Sequence, residues 1–340
     1  MRKTRGMVTA LTTAAITACI ASCIASGAHA ELGGTVTRTE PAGTLIMPFD
    51  STKGKASFEH VSRIGAAEIP GAIATHWAYW ANDCKHLADV FICLTPRDTV
   101  VVDPTALHAE VQTKGENQSV GPVIDLSGKR GLVVVTAYQA DNGSSGKDCR
   151  VPDQAAPLDR AIVGSWTIAN TQTSTGYGAD AIGFPTSGVL PDPAILADGG
   201  IRIPTYDPST LTDSAVIVLP VKYPGGSGVF GNEVGPLNKV TCDSAFIDNL
   251  EASTSLPSLA FKCVGFNPIS STTAQDGGDP PIIPPTFTLD SSGLLQLSNC
   301  RTSSGPLKGK KFIFAYHAEA VGPFGTVAAG KYTNLLPESD

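Results

Sequence analysis

Ile73–Asp103, IATHWAYWANDCKHLADVFICLTPRDTVVVD, is the stretch that decides the fold. It reads as one long strand, a connection carrying Cys84, a return strand ending near Cys93, and a third strand over Thr99–Val102. In the first segment Ile73, Thr75, Trp77 and Tyr79 fall on one face, and Ala74, His76, Ala78 and Trp80 on the other. One face carries bulk and the other is mostly small, the pattern of a strand with one side in a sandwich core. Such a block needs a second apolar surface to cover it.

The rest of the chain supplies more strands of this kind. Upstream, Thr44–Phe49 and Ser57–Ser62 flank the turn Ser51-Thr52-Lys53-Gly54 as a hairpin. Downstream, Gly131–Tyr138 (GLVVVTAY) is the β-branched run of a buried strand, followed by Ala161–Ala169 and Tyr177–Phe184. Asp103-Pro104, ahead of TALHAEVQ, pairs an N-cap with a proline at the first helical position and predicts a short helix to Gln112. Lys114–Gly121 reads as a loop. Pro185–Pro193 (PTSGVLPDP) breaks any regular element. Strands then resume at Ala215–Lys222, Val240–Glu251, Leu259–Val264, Leu294–Ser298 and Lys311–Ala318, the last with strict period-2 alternation. Asn267–Pro285, rich in Pro, Gly and Asp, reads as a long loop. The expected fold is all-β: two immunoglobulin-like β-sandwich domains, residues 31–185 and 197–340, joined by a linker over 186–196, with long loops and one short helix. A single sandwich with a long insertion is the alternative.

Residues 1–30 read as a secretory signal peptide: Arg2, Lys3 and Arg5, an apolar run from Met7 to Ile24, and a small-x-small site at Ala28-His29-Ala30. Ile16-Thr17-Ala18-Cys19 and Ile20-Ala21-Ser22-Cys23 also resemble a lipobox, so a lipoprotein anchored through Cys23 or Cys19 is the alternative. Cleavage after Ala30 leaves 21 basic against 31 acidic residues, a balance of −10. That charge disfavours nucleic acid as a partner, and no later stretch is long and apolar enough to span a bilayer. The six remaining cysteines, Cys84, Cys93, Cys149, Cys242, Cys263 and Cys300, are expected to form three disulfides in an oxidising compartment. Neighbouring strands suggest Cys84–Cys93 and Cys242–Cys263, which leaves Cys149–Cys300.

The series TLIMPFDSTKG, THWAYWANDC, LTPRDTVVVD, AIVGSWTIAN and YGADAIGF resembles a loosely defined group of exported bacterial β-sandwich proteins. Members carry a strand of the LLFPYFDT kind, a strand ending in an acidic residue and Cys, and then LTPNDT. Leu94–Thr99 (LTPRDT) matches that signature except at Arg97. The resemblance covers residues 43–185 and implies a secreted sandwich. It brings no catalytic residue or ligand with it.

Motifs for chemistry are weak. Neither Gly164-Ser165 nor Gly225-Gly226-Ser227-Gly228 completes GxSxG, and neither precedes a helical pattern. No carboxylate pair stands out as a glycosidase site. Asp83, His86 and Asp89 around Cys84 are a conceivable metal cluster, but a solvated turn pinned by a disulfide explains them better. Asp141, Asn142, Asp148, Asp153 and Asp159, and separately Asp276 and Asp279, offer oxygens for calcium without the spacing of an EF-hand loop. Trp77 and Tyr79 read as core, and Trp80 as a candidate for stacking on sugar. No catalytic residue, metal or cofactor is therefore assigned. The expected function is an exported, non-enzymatic surface or extracellular protein with a structural or interaction role, its partner a protein or glycan. A secreted hydrolase with a site between the two domains is the alternative.

Overall fold

The computed structural model describes residues 41–64, 69–104, 108–113, 116–119, 125–141, 149–152, 155–172, 175–184, 201–205, 207, 209, 211–223, 233–270, 279–287, 289, 291–307, 311–321 and 326–334. The expected signal peptide and the linker over 186–196 lie outside them. Among the described residues there are twenty-one strands and no α-helix, and every strand pairing is antiparallel. The fold is an all-β sandwich.

Two sheets come from the N-terminal half. One has the order β11 (Ile182–Phe184), β1 (Thr44–Asp50), β8 (Arg130–Gln139), β3 (Ile73–Ala81) and β4 (His86–Leu94). The other runs β10 (Thr175–Asp180), β9 (Ile162–Asn170), β2 (Lys55–Arg63), β5 (Thr99–Asp103), β6 (His108–Thr113) and β7 (Glu116–Ser119). Two further sheets come from the C-terminal half. One is β12 (Ile201–Thr205), β18 (Gly293–Thr302), β15 (Val240–Asp248) and β16 (Ser253–Phe261), with β19 (Gly305–Pro306) on β18. The other is β14 (Gly235–Pro236), β13 (Leu211–Lys222), β20 (Lys311–Val321) and β21 (Thr326–Asn334), with β17 (Gly265–Asn267) on β13.

The expected helix is not there. His108–Thr113 extends along β5 instead, in register from Thr99↔Gln112 to Asp103↔His108, and the expected loop after it contains β7. Sheet pairing has overridden a local signal made only of a cap and a proline. The positions of β5 are alternately buried and half-buried, so its neighbour needs only an extended backbone.

The β13–β20 sheet explains how the halves join. Ala215, Ile217, Leu219, Val221, Phe314, Tyr316 and Ala318 belong to the core that also holds Leu45, Phe49, Trp77, Val134 and Trp166. Val216, Val218, Ile313 and Ala315 belong to a second core with Ile203, Phe246, Phe261 and Leu297. Both faces are buried, which is why AVIVLPV reads as an unbroken apolar run. Tyr316 meets Trp166 edge-on at 4.9 Å and donates its hydroxyl to the Asp180 carbonyl at 2.8 Å. Phe314 meets Phe184 at 5.4 Å. The stretches 41–184 and 201–334 thus share one core, and the described residues belong to one compact unit.

The LTPRDT turn has a clear logic. The Thr95 amide and hydroxyl both donate to Asp98 Oδ2 at 2.7 Å, and the Asp98 amide donates back to the Thr95 carbonyl at 3.1 Å. Pro96 opens the turn and Arg97 takes a left-handed φ of 73°. That conformation favours Gly or Asn, so Arg97 is a strained occupant of this position. Beyond the turn, the Thr99 hydroxyl lies 2.8 Å from that of Ser62 on the neighbouring strand.

Candidate functional site

All six cysteines of the expected set are disulfide-bonded, with pairings other than the expected ones: Cys84–Cys263, Cys93–Cys149 and Cys242–Cys300. Cys84 and Cys93 cannot meet because β4 lies extended between them, holding them roughly 25 Å apart at about 3.3 Å per residue. Cys242 instead meets Cys300 of the adjacent strand, with Cα atoms 4.1 Å apart. Cys93 and Cys149 close a small cluster with Ala74, Tyr138 and Ala140. Cys84–Cys263 ties the turn after β3 to the segment between β16 and β17, spanning 179 residues. Three disulfides are the mark of a chain that matures in an oxidising compartment.

Close to that staple is a polar cluster built on His76. Period-2 alternation sends His76 and Ala74 of β3 to the face away from Trp77, and the register puts Phe91 of β4 and Thr136 of β8 directly beside His76. The C-terminal half covers this face, so His76 is buried rather than solvated. Glu233, just ahead of β14, places Oε1 3.0 Å and Oε2 3.1 Å from His76 Nδ1. The Tyr138 hydroxyl donates to the same Glu233 oxygen. Burial first, and then the Glu233 charge, push the Tyr138 phenol far above its usual range, so it stays a donor. On the other side His76 Nε2 lies 3.1 Å from Asp89 Oδ1, and His86 Nε2 lies 2.9 Å from that oxygen. Phe91 stacks on the His76 ring at 4.6 Å. A polar chain therefore runs from buried Tyr138 and Glu233 through His76 to exposed Asp89 and His86. Arg130 reinforces the same junction, 3.4 Å from Asp279 and 5.6 Å above the Phe266 ring.

Two other buried carboxylates differ from this one. Glu319 accepts from the Thr205 hydroxyl and lies 3.2 Å from His317 Nε2, inside the C-terminal half. Glu59 on β2 is fully buried and, among the described residues, neither of its oxygens has a hydrogen-bond partner, nor does the Tyr79 hydroxyl. Burial, followed by the charge of Asp103, holds the Glu59 carboxyl well above the usual range. The Tyr79 phenol is raised by burial and then by the Glu59 and Asp103 charges.

Among the residues singled out from sequence, Trp77 and Tyr79 are core, and Trp80 is half-buried with its ring 4.7 Å from that of His86. Asp83 accepts from the Lys85 amide, whereas His86 and Asp89 join the chain on His76. Ser165 sits within β9 between His60 and Asp180 in register, not on a strand-to-helix turn. Asn142, Asp148, Asp153 and Asp276 lie outside the described residues, and Asp279 is engaged by Arg130 and the Phe266 amide. Among the described residues no group of three or more His, Cys, Asp or Glu is placed to hold a metal ion, and no helix is long and apolar enough to cross a membrane. Sequence reasoning missed Glu233, Tyr138 and Glu59. Only Glu59 left a trace, a carboxylate at the inward position between Ser57 and Val61 of an alternating strand.

Chemically, the His76 cluster offers a buried charge network with both ring nitrogens committed to carboxylates. That arrangement ties Glu233 of the C-terminal half to His76 and Tyr138 of the N-terminal half. No protein-family model matches the chain, nor does any curated protein or solved structure.

Proposed function

We propose that this chain is an exported, non-enzymatic protein of the bacterial envelope or exterior, with a structural or interaction role and a mature part that begins after Ala30. The observation that carries this reading is the Cys84–Cys263 staple, which with Cys93–Cys149 and Cys242–Cys300 uses every cysteine after residue 30. A chain that must keep its shape outside the cell gains from closing a long loop of this kind. The titratable groups support the same reading: His76, Glu233 and Tyr138 are turned inward and bonded to one another. The resemblance of LTPRDT and its neighbouring strands to exported sandwiches points the same way.

The test is intact mass of the protein recovered from its native source, before and after reduction with thiol alkylation. A mass starting at Glu31, with six thiols alkylated only after reduction, is the expected result. Acyl chains on Cys23 or Cys19 would replace the free protein with a lipid-anchored one. Thiols reactive without reduction would overturn the reading. Turnover of ester or glycoside substrates by the purified protein, lost in His76→Gln, would make it a hydrolase.

A further inference from the structure

The three disulfides differ in where their sulfurs sit. Cys93–Cys149 lies within the N-terminal half and Cys242–Cys300 within the C-terminal half, while Cys84–Cys263 joins the two. Cys93, Cys242 and Cys300 are buried within strands, and half-buried Cys149 packs with Val151 and Ala155 on the cluster of Ala74, Tyr138 and Ala140. Cys84 instead stands half-buried in the turn Asn82-Asp83-Cys84. Its amide donates to the Ala81 carbonyl there, and the Ala81 amide donates to that of Lys85. The Cys84 φ of 73° is a left-handed conformation that Gly or Asn holds at lower cost. A strained residue thus carries its sulfur near the surface. The Cys263 amide donates to Cys84 Sγ at 3.2 Å, a bond that strengthens when the sulfur becomes a thiolate. The Asn238 carbonyl lies 3.6 Å from the same sulfur and can accept from a thiol but not from a disulfide. Lys85, Lys239 and Lys262, all exposed, adjoin Cys84, Asn238 and Cys263 in sequence, against the Asp83 carboxylate. Such surroundings favour a thiolate, and the apolar ones of Cys149 disfavour it.

We propose that Cys84–Cys263 is a reversible redox switch: the first of the three disulfides to open to a dithiol reductant, and the one whose opening unpins the segment 262–264 from the β3–β4 turn. The inference rests on the exported reading, in which the folded chain meets thiols and disulfides outside the cytoplasm. One thiolate of the dithiol attacks the accessible Cys84 Sγ, the S–S bond breaks, and Cys263 leaves as a thiolate that takes up a proton. The second thiolate of the dithiol attacks its own partner sulfur in the mixed disulfide and frees Cys84. The dithiol departs as its disulfide, and the protein has gained two electrons and two protons. Cys93–Cys149 and Cys242–Cys300 still staple each half, and Phe314 and Tyr316 of β20 stay in the core shared with the N-terminal half. Opening is therefore local, and the freed sulfurs remain placed to close again.

The experiment exposes the full oxidised protein to dithiothreitol at neutral pH, alkylates the thiols at intervals and reads each cysteine by peptide mass. Cys84 and Cys263 should become labelled together, at least about tenfold faster than the other four cysteines. Amide hydrogen exchange over 262–267 should speed up in step with that labelling. Removing the dithiol and adding oxidised glutathione should restore both readings. The double variant Cys84→Ser with Cys263→Ser should show the faster exchange without reductant and no further response when dithiothreitol is added. Opening of Cys93–Cys149 or Cys242–Cys300 first, six thiols appearing at one rate, or exchange over 262–267 unmoved by reduction would overturn the proposal. Failure of the exported reading shows differently, as thiols reactive before any dithiol is added.

Discussion

Glu59 and Glu233 are both carboxylates withdrawn from water, and their surroundings are opposite. Glu233 receives the Tyr138 hydroxyl and both of its oxygens lie within 3.1 Å of His76 Nδ1. Glu59 sits between two sheets of the N-terminal half with neither oxygen partnered among the described residues, and Asp103 raises its proton affinity further. A buried charge survives when it is paired and hydrogen-bonded; otherwise it takes up a proton. The first carboxylate therefore acts as a fastener between halves. The second is a cost carried by the core.

Four substitutions break or sharpen that contrast, in order of expected size. Glu233→Ala removes the acceptor of two buried donors and should lower stability by about 3 kcal/mol at neutral pH, read from urea midpoints. Replacing Cys84 and Cys263 together by serine frees a 179-residue connection and should cost about 2–3 kcal/mol, with a larger m-value if the unfolded chain expands. Glu59→Met should do the reverse and stabilise by about 1–2 kcal/mol at neutral pH. Its sign with pH follows from the raised carboxyl: the folded protein keeps a proton that the unfolded chain releases. Wild-type stability therefore falls as pH rises out of the ordinary carboxylate range. The gain from Glu59→Met should grow over that rise and shrink below it, where both states are protonated. Arg97→Asn should add only about half a kcal/mol by relieving the left-handed turn residue, detectable as a small rise in Tm.

The strands around Ile73–Asp103 were readable from sequence because their signal is local: β-branched runs, alternation, and turns cut by Gly, Pro, Asn or Asp. Ile73–Ala81, His86–Leu94 and Thr99–Asp103 sit where that pattern predicts. The helix after Asp103 failed because its evidence was a cap and a proline, whereas β6 is held by pairing with β5. β12, β17 and β21 escaped notice, and they too are defined by partners far along the chain. The same physics hid the site. In the sequence His76 shares the mostly small face of its strand with Ala74, Ala78 and Trp80. Its burial depends on the C-terminal half and its main partner lies 157 residues away. The disulfide pairings were illegible for this reason as well, since adjacency in sequence says nothing about which strands an extended β4 keeps apart. The existence of three disulfides needed only the cysteine count.

The most direct test of the whole account is a disulfide map of the native protein by non-reducing peptide analysis. A single-unit fold with halves fastened beside His76 predicts one linked peptide pair carrying Cys84 and Cys263, alongside Cys93–Cys149 and Cys242–Cys300. A linked pair of Cys84 and Cys93, or free thiols at Cys84 and Cys263, would contradict it.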